Sequence, residues 1–421
     1  MKDKIFTISR ILIGLTLLMG LTQQPFFKKL TSNQIKISPL TKEETKGITE
    51  YEPTPFPPLP PKNHKHIYNN AYLVAGGDIM FSRNIWHLNK QQGYDRIFGS
   101  ENYNPISQFS TCSPENCLLF FNLESLFHPN DNDIPLGGFN FRANSNNLEI
   151  LRQLRKPTAQ QSNQLWRDFQ MLLSLSNNHT INAGYEGMIL TQDILHWGGD
   201  FGHVGAGATP SEAHRISQYI FNETCKNGTC TWLSICFQAY SYDGRENLKV
   251  WWGLISRNAL HQQKILADLE EMKNLNCDVK VLSLHRGAEY KIRPSQRQRN
   301  LAYTLIDNGA DIILGGHSHV PGEIEKYKGK YIFYSFGNFI FDQDRGRRAQ
   351  GTEFDYIYDY ELSRRTTPTY IALLAGLNIQ KFKNRIKIHL DQIEMSRTTN
   401  GVHSPLDSQT YQEMLQKIQK I

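Results

Sequence analysis

The chain has 421 residues, of which 39% are hydrophobic and 20% charged. This composition is typical of a globular protein and excludes collagen-like, coiled-coil and wholly disordered classes. The formal net charge of +6 is unevenly distributed, because residues 1–66 contain ten Lys and Arg against five Asp and Glu. The remainder is close to neutral, so its charge gives no reason to expect a nucleic-acid partner.

The N-terminal residues have the pattern of an export segment. Lys2, Lys4 and Arg10 precede the apolar run ILIGLTLLMGL at residues 11–21, as in the charged and hydrophobic regions of a signal peptide. The run is shorter than the ~20 residues that a transmembrane helix needs, and no A-x-A cleavage site follows it. We expect residues 1–25 to form an uncleaved membrane anchor. The alternatives are a cleaved signal peptide and a cytosolic amphipathic helix.

A polar stretch follows and ends in the proline-rich run EPTPFPPLPPKNHKH at residues 52–66. Proline at this density favours polyproline II, so residues 26–66 are predicted to be a semi-rigid spacer rather than a ligand for a partner domain. We place the folded domain at residues 67–400 and a C-terminal helical tail at residues 401–421. The domain is then expected on the outer side of the cytoplasmic membrane, in the periplasm, or secreted.

The cysteines are consistent with an oxidising compartment. Four of them form two C-x4-C pairs with turn-forming residues between them: Cys112 with Cys117, and Cys225 with Cys230. This spacing favours two local disulfides, although a zinc site made by the four thiols is an alternative. Cys236 and Cys277 lie in or beside apolar runs, and they are predicted to be buried thiols or a third pair rather than metal ligands.

From residue 71 onward, short apolar runs alternate with amphipathic segments. Buried strands are predicted at residues 71–77, 117–124, 169–179, 279–287 and 311–319. Helices are predicted at residues 186–197, 211–221, 261–275 and 295–309. This alternation favours an α/β core with much parallel sheet. Residues 330–341 and 370–390 are predicted to form mainly strands, with fewer helical patterns than the preceding part of the chain. This change indicates a second sheet packed on the first.

Each predicted strand ends in polar groups of related chemistry. In chain order these are Asp78, then Glu124, then Asn177, Asn178 and His179, then His285, then His317 and His319. In open α/β sheets ligands bind outside the carboxyl ends of the strands. Carboxylate, amide and imidazole donors together suit Mn²⁺, Fe²⁺ or Zn²⁺ better than Ca²⁺. Any one of these residues has an ordinary alternative as a turn, cap or core residue. Five such strand ends together predict a site for one or two divalent metal ions.

The order of these groups resembles the calcineurin-like metallophosphoesterase superfamily and, more closely, the bacterial capsule-synthesis (CapA, poly-γ-glutamate) family within it. The matching motifs are GDIMFSRN at residues 77–84, NLES at 122–125, FRA at 141–143, SNNHTINAG at 176–184, HRGAEY at 285–290, GGHSHV at 315–320 and YSFGNFIFDQ at 334–343. The resemblance implies a four-layer α/β/β/α sandwich. It also implies an exported protein that makes or processes poly-γ-glutamate or a similar anionic surface polymer.

The same resemblance implies a set of metal ligands. Glu124 would bridge two ions, Asp78 and His319 would hold one of them, and Asn178, His285 and His317 would hold the other. His179 would lie over the substrate as an electrophile or a general acid. Arg83 and Arg142 match basic positions of the family, where they would bind substrate carboxylates in bidentate fashion or form structural ion pairs.

Further matching residues would support the ligands. Glu289 and Tyr290 follow His285 as in the family and would orient a ligand, whereas Asn338 would lie in a tight turn and be structural. Three residues depart from the pattern: Met80 replaces the His of D-x-H, Asn182 an Asp, and Arg286 a Trp. Met80 removes a ligand and favours a one-metal site. Asn182 removes a charge, and Arg286 adds a cation that would disfavour a second ion or attract an anionic substrate.

Three functions follow from these observations. The first is metal-dependent hydrolysis or transfer at an amide bond of an anionic polymer or peptide. The second is a non-catalytic membrane-anchored subunit that scaffolds a polymer synthase together with other subunits. The third is a phosphoesterase, which the departures at Met80 and Glu124 disfavour. A fold alone does not separate these functions.

Overall fold

The computed structural model describes residues 70–98, 103–128, 139–158, 161, 167–226, 229–241, 247–250, 253–257, 262–343, 368–382 and 385–420. They belong to one compact unit, His66–Ile421. The predicted anchor and proline-rich spacer lie outside the described residues, so both stay predictions. Within the ranges given above, no helix is both long enough and apolar enough to cross a bilayer.

The helices are α1 (Arg83–Gln92), α2 (Leu148–Leu154), α3 (Gly184–Gly199), α4 (Pro210–Ala213), α5 (Gln262–Asn274), α6 (Gln296–Asp307) and α7 (Ser408–Ile418). The first ten strands are β1 (Asn70–Ile79), β2 (Cys117–Leu123), β3 (Leu126–Phe127), β4 (Arg142–Ala143), β5 (Gln170–Ser174), β6 (Gly202–Val204), β7 (Ala206–Gly207), β8 (Ser217–Lys226), β9 (Thr229–Ser241) and β10 (Asn247–Val250). The others are β11 (Gly253–Arg257), β12 (Val279–His285), β13 (Ile312–Gly316), β14 (Ile324–Tyr327), β15 (Lys330–Phe333), β16 (Asn338–Ile340), β17 (Ile371–Phe382), β18 (Arg385–Thr399), β19 (Val402–Pro405) and β20 (Gln419–Lys420).

Two large sheets organise the unit. The first has the strand order β19-β18-β17-β1-β2-β5-β6, with β16 also paired to β1. Its strands β1, β2, β5 and β6 run parallel, whereas β17 and β18 form an antiparallel hairpin beside β1. The second has the order β20-β14-β15-β13-β12-β9-β8, and its strands β9, β12, β13 and β15 are parallel.

Three hydrophobic clusters define four layers. The first cluster joins one face of the first sheet to α1, α2 and α3, through residues such as Ile85 and Leu151. The second fills the space between the sheets, where Phe120 stacks on Phe237 at 5.8 Å between ring centroids. The third packs α5 and α6 on the far face of the second sheet, with Leu269 among its members. The predicted α/β/β/α sandwich is confirmed.

This layering explains the apolar strand sequences. All seven residues of β2 are buried, because each central strand has helices on one side and the other sheet on the other side. The backbone also approaches itself closely beside the strand ends. A Cβ atom at Gly77 would lie 1.9 Å from the carbonyl oxygen of Gly337, so only glycine fits at Gly77. That contact brings the segment before β16 against the end of β1.

One predicted helix is wrong in most of its length. The helix predicted at residues 211–221 ends at Ala213, and Ser217 begins strand β8. The alternation of Tyr219 and Phe221, which both pack between the sheets, is a strand period that the helical pattern concealed. Near the C terminus, β19 pairs with β18 and α7 adds Met414 to the core between the sheets. Residues 401–420 of the predicted tail therefore pack on the domain with a strand as well as a helix.

The cysteines whose side chains are described form two disulfides. Cys112 is bonded to Cys117 beside the start of β2, as the spacing predicts. Cys236 of β9 is bonded to Cys277, which precedes β12, so these two cysteines form a third pair rather than free buried thiols. The side chains of Cys225 and Cys230 lie outside the described part, although their backbones are opposite each other in the β8–β9 hairpin.

The two disulfides should differ in their contribution to stability. Cys236 and Cys277 are 41 residues apart, whereas Cys112 and Cys117 are 5 apart. In the chain-entropy account, opening the longer loop costs about 4 kcal/mol and the shorter one about 2 kcal/mol. We expect the Cys236→Ala/Cys277→Ala variant to lose more free energy of unfolding in urea than the Cys112→Ala/Cys117→Ala variant. A larger loss for the short loop would contradict this ranking.

Candidate metal centre

The carboxyl ends of five parallel strands converge on one cluster of side chains. One group is Glu124, His285 and His317, and a second is Asp78, Glu124 and His319. In each group, one ligand atom per residue lies within 4.8 Å of the others. The groups share Glu124, so the residues predicted at separate strand ends lie side by side.

Glu124 is the most unusual member of the cluster. Its side chain is fully buried, and neither carboxylate oxygen has a hydrogen-bond donor. Oε1 lies 3.5 Å from Nε2 of His285 and 3.9 Å from Nε2 of His179. Burial, and then the charge of Glu289, raises the pKa of this carboxyl well above its ordinary range. A buried carboxylate without donors is costly unless a cation compensates its charge, so the donor set fits a divalent metal.

Asp78 lies at the end of β1 and is partly satisfied. Its Oδ1 accepts a hydrogen bond of 2.9 Å from Nδ2 of Asn122, and its Oδ2 accepts one of 3.4 Å from the backbone N–H of His317. Oδ2 is also 3.7 Å from Nδ1 of His319. Burial, and then the nearby Glu124, raises the pKa of Asp78 to about 7. Without a cation, the site therefore cannot easily hold both carboxylates ionised.

Asn178 reaches the same cluster from the loop after β5. Its Oδ1 lies 2.9 Å from Nε2 of His285, which places the amide oxygen beside the group of Glu124, His285 and His317. The neighbouring Asn177 donates to Oδ1 of Asn122 at 3.2 Å. The three asparagines thus connect the ends of β1, β2 and β5 in one network.

His317 and His319 lie just past the end of β13 in an unusual backbone conformation. Their φ angles are +85° and +57°, a region that costs a side chain of this kind on the order of 1–3 kcal/mol. In a strand, the pleat sets the direction of the side chains at residues i and i+2. Here the chain has already left the strand, and both imidazoles enter the cluster. Nδ1 of His317 is buried without a hydrogen-bond partner, which again fits a metal-binding role.

Asn338 fixes the orientation of one ligand. Its Nδ2 donates to Oε1 of Gln343 at 3.0 Å and to the carbonyl of Thr369 at 3.1 Å. The amide oxygen therefore faces Nδ1 of His319, 2.9 Å away, and that nitrogen must donate. The lone pair is then on Nε2 of His319. The predicted turn is wrong for Asn338 itself, which begins strand β16, and its amide contacts a candidate ligand.

His179 is held in one tautomer by Asn182. Oδ1 of Asn182 accepts a 2.8 Å hydrogen bond from the backbone N–H of Phe141, which identifies this atom as the oxygen. Nδ1 of His179, 2.7 Å from the same oxygen, is therefore the donor, and Nε2 carries a lone pair. Burial lowers the pKa of His179 to about 3, so the ring is neutral at neutral pH.

An aromatic and cationic stack fixes the plane of the His179 ring. Phe141 stacks on it with 3.9 Å between ring centroids, and the guanidinium of Arg83 lies 4.7 Å from the centre of the Phe141 ring. Arg83 also forms a buried ion pair with Asp342, which matches the ion-pair alternative. Nε is buried without a hydrogen-bond partner in both Arg83 and Arg142, but Arg142 forms no ion pair with a described residue.

The other predicted supporting residues lie around the cluster. Tyr290 has its ring 6.1 Å from that of His319, and its hydroxyl accepts from Nε2 of Gln343 at 3.3 Å. Glu289 is exposed and acts on Glu124 through its charge. Arg286 is half-buried, with its carbonyl bonded to Gln298.

Met80 and Asn122 show where sequence patterns were less informative. Met80 is fully buried in the core beside the helices, and its sulfur accepts from the backbone N–H of Ser82. Asn122 was not predicted as a site residue, yet it contacts both Asp78 and His285. It is two residues before Glu124, and residues at that spacing on a strand share a face, which could have identified it.

Comparison with known proteins relates this site to a family. The family described as bacterial capsule synthesis protein PGA_cap matches residues 72–343. The PGA biosynthesis protein CapA of Bacillus subtilis is 30% identical over 296 residues, which are 69% of this chain and 68% of that protein. The capsule biosynthesis protein CapA of Bacillus anthracis is 34% identical over 212 residues, which are 50% of this chain and 48% of that protein.

Solved structures give a weaker likeness. The calcineurin-like phosphoesterase YfkN from Bacillus subtilis is 14% identical, with a TM-score of 0.35, and the alignment covers 83% of this chain and 96% of that chain. The NAD nucleotidase of Haemophilus influenzae is 12% identical, with a TM-score of 0.38, and the alignment covers 83% of this chain and 56% of that chain.

Metal binding should depend on pH in the range where Asp78 titrates. Since the pKa of Asp78 is about 7 without metal, ions must displace its proton below that pH. The His317 imidazole, with a pKa of about 3, should not compete for protons there. We expect Mn²⁺ affinity to fall at least about tenfold per pH unit between pH 7 and pH 5, measured by titration calorimetry in two buffers. A constant affinity over this range would contradict the raised pKa.

Glu124 should matter more to metal content than any other ligand. It belongs to both groups, and its charge at ~4 Å is worth roughly 4 kcal/mol per unit charge at an effective dielectric of about 20. We expect Glu124→Gln to lose at least one ion, measured by metal analysis after dialysis. The control is Glu323→Gln, which removes a buried carboxylate that pairs with Arg299 elsewhere. Full metal occupancy in Glu124→Gln would refute a shared ligand.

Proposed function

Because this chain belongs to the family of bacterial capsule synthesis proteins described as PGA_cap, we propose that it acts on poly-γ-glutamate or a similar anionic surface polymer. The proposed reaction is metal-dependent hydrolysis or transfer at an amide bond. The observation that carries it is the buried carboxylate of Glu124, which faces three imidazoles without any hydrogen-bond donor. A stable scaffold has no need for so costly an arrangement.

The metal would be Mn²⁺, Fe²⁺ or Zn²⁺. Its ligands would be Asp78, Glu124, Asn178, His285, His317 and His319. A divalent ion in such a site supplies a Lewis acid for the substrate carbonyl and promotes attack by water. The protein's contribution is to keep the ligands fixed, through Asn122 at Asp78 and Asn338 at His319.

His179 would contact the substrate through Nε2. Since Asn182 holds the Nδ1–H, the lone pair on Nε2 can accept a proton or a hydrogen bond from the substrate. Acting as an acid would require a protonated ring, which burial opposes. We therefore assign His179 the role of acceptor for a proton of the attacking water in the first step, and the ring can return that proton to the leaving amine in the second.

Substrate charge would be bound by Arg142. Its Nε is buried without a partner, next to the Phe141 ring that covers His179. A guanidinium is suited to the paired oxygens of a side-chain carboxylate. Arg83 would have a different role, because its ion pair with Asp342 and its contact with Phe141 make it a support for the stack.

The cell envelope is the proposed location. Two disulfides within the described residues are most stable in an oxidising compartment, and residues 1–25 have the pattern of an export segment. We propose that the chain is attached to the membrane through this segment. The folded unit would then face away from the cytoplasm, where the polymer is exported.

A non-catalytic scaffold is the second candidate, and Met80 favours it. In the wider superfamily a histidine stands at this position, but the Met80 side chain is buried in the core and offers no ligand to the cluster. A weakly loaded site would bind polymer without turnover. Phosphoester hydrolysis is the third candidate and is tested with a phosphodiester substrate in the same assay.

The deciding experiment combines metal content with polymer length. We expect purified protein with Mn²⁺ to shorten poly-γ-glutamate on gels. His179→Ala should retain its metal but lose about 100-fold or more in rate, because its role is on the substrate. The matched control is His403→Ala, a buried histidine between Phe98 and Phe339, which should keep the rate. Normal metal content without cleavage by the native protein would favour the scaffold instead.

A further inference from the structure

The hairpin of β17 and β18 ends in an exposed aromatic residue. Phe382 is 73% exposed, a larger fraction than for any other large hydrophobic side chain in the described ranges. Arg385 and Lys387, on the opposite strand, are exposed as well. The tip therefore presents an apolar ring beside positive charges, a combination that is costly in water and suited to the surface of an anionic membrane.

The chain enters the folded unit at this tip. Asn70, the first residue of β1, pairs with Gln380, two positions before Phe382. The segment that precedes β1 carries the apolar run proposed as a membrane anchor. The exposed ring and the point of chain entry are thus at the same end of the first sheet.

The second sheet contributes to the same end. Nζ of Lys381 donates to the carbonyl of Trp232 and to Oδ2 of Asp278, both at 2.7 Å. Trp232 is in β9, and Asp278 immediately precedes β12, so both lie at the amino ends of parallel strands. Trp232 is 37% exposed. Because Lys381 pairs with Asp278, the charge of Asp278 does not offset the positive charges of Arg385 and Lys387.

We propose that this end of the protein rests on the anionic lipid surface of the membrane. Its contact surface, called here the hairpin face, consists of Phe382, Arg385 and Lys387, which the pairing of β17 with β18 places on one face of the hairpin. Aromatic rings prefer the interfacial region of a bilayer, and basic residues beside it are attracted to anionic headgroups. An anionic polymer would also attract the basic residues, but it would not account for the exposed ring of Phe382 beside them. The inference rests on the membrane attachment proposed above.

Docking by the hairpin face sets the position of the metal centre. Asn70 and Asp78 are at opposite ends of β1, and eight residues of extended strand span about 26 Å. The ligands all lie at that far end. The centre thus lies about 26 Å along β1 from the end that docks, away from the residues that would contact lipid.

The test uses the full chain reconstituted into lipid vesicles. Phe382→Trp adds a fluorophore at the hairpin face, and Arg293→Trp adds one in the exposed loop after His285, at the far end. Brominated phosphatidylglycerol should quench the added fluorescence of Phe382→Trp at least about twofold more than that of Arg293→Trp, since bromine quenches only at contact. Adding Arg385→Glu and Lys387→Glu to Phe382→Trp, or using brominated phosphatidylcholine, should remove this difference.

Each other outcome overturns the proposal in a recognisable way. Equal quenching at both positions would mean that no particular face is docked, and it leaves the proposed activity untouched. A chain that does not float with vesicles would overturn the docking together with the anchor, again without affecting polymer cleavage. A fluorescence change of Phe382→Trp with soluble poly-γ-glutamate, and none with anionic vesicles, would assign the hairpin face to the polymer.

Discussion

The charge of two neighbouring buried carboxylates is the constraint on which the site depends. Glu124 has no hydrogen-bond donor and Asp78 has only two, so each raises the cost of ionising the other. The structure surrounds them mainly with neutral imidazoles and amides, and the charge of Arg83 lowers the pKa of Glu124 less than burial raises it. When both carboxylates are ionised, these groups do not balance their negative charge. A divalent cation is the simplest group that would balance it.

The positions of the ligands follow from strand order. The orientation of their side chains depends on backbone conformations that the sequence does not show. Apolar runs ending in Asp78 or His285 were enough to predict convergence, because parallel strands point their carboxyl ends at one edge. The positive φ angles at His317 and His319 could not be predicted from local sequence, because the chain just after them packs closely against the distant residue Gly337.

Other failures of prediction have similar causes. The helix expected at residues 211–221 was a strand, because pairing with β9 and packing between the sheets outweighed a local helical pattern. A third pair was one of two alternatives for Cys236 and Cys277. Because these residues are distant in sequence, their spacing could not decide between a disulfide and free thiols. Asn182 was predicted as the loss of a charge, whereas its amide also orders Phe141 and His179.

The central position of β1 has a consequence for how the protein folds. This strand is among the first parts of the folded unit to be synthesised, yet Ala71 pairs with Ile379 and Asp78 with Asn338. The edge that pairs with β16 and β17 stays open until almost the whole chain is available, and contacts of such long sequence separation slow folding. A chain that crosses a membrane from its N terminus would therefore remain unfolded during passage. Its ligands would come together only afterwards, so metal would be acquired outside the compartment of synthesis.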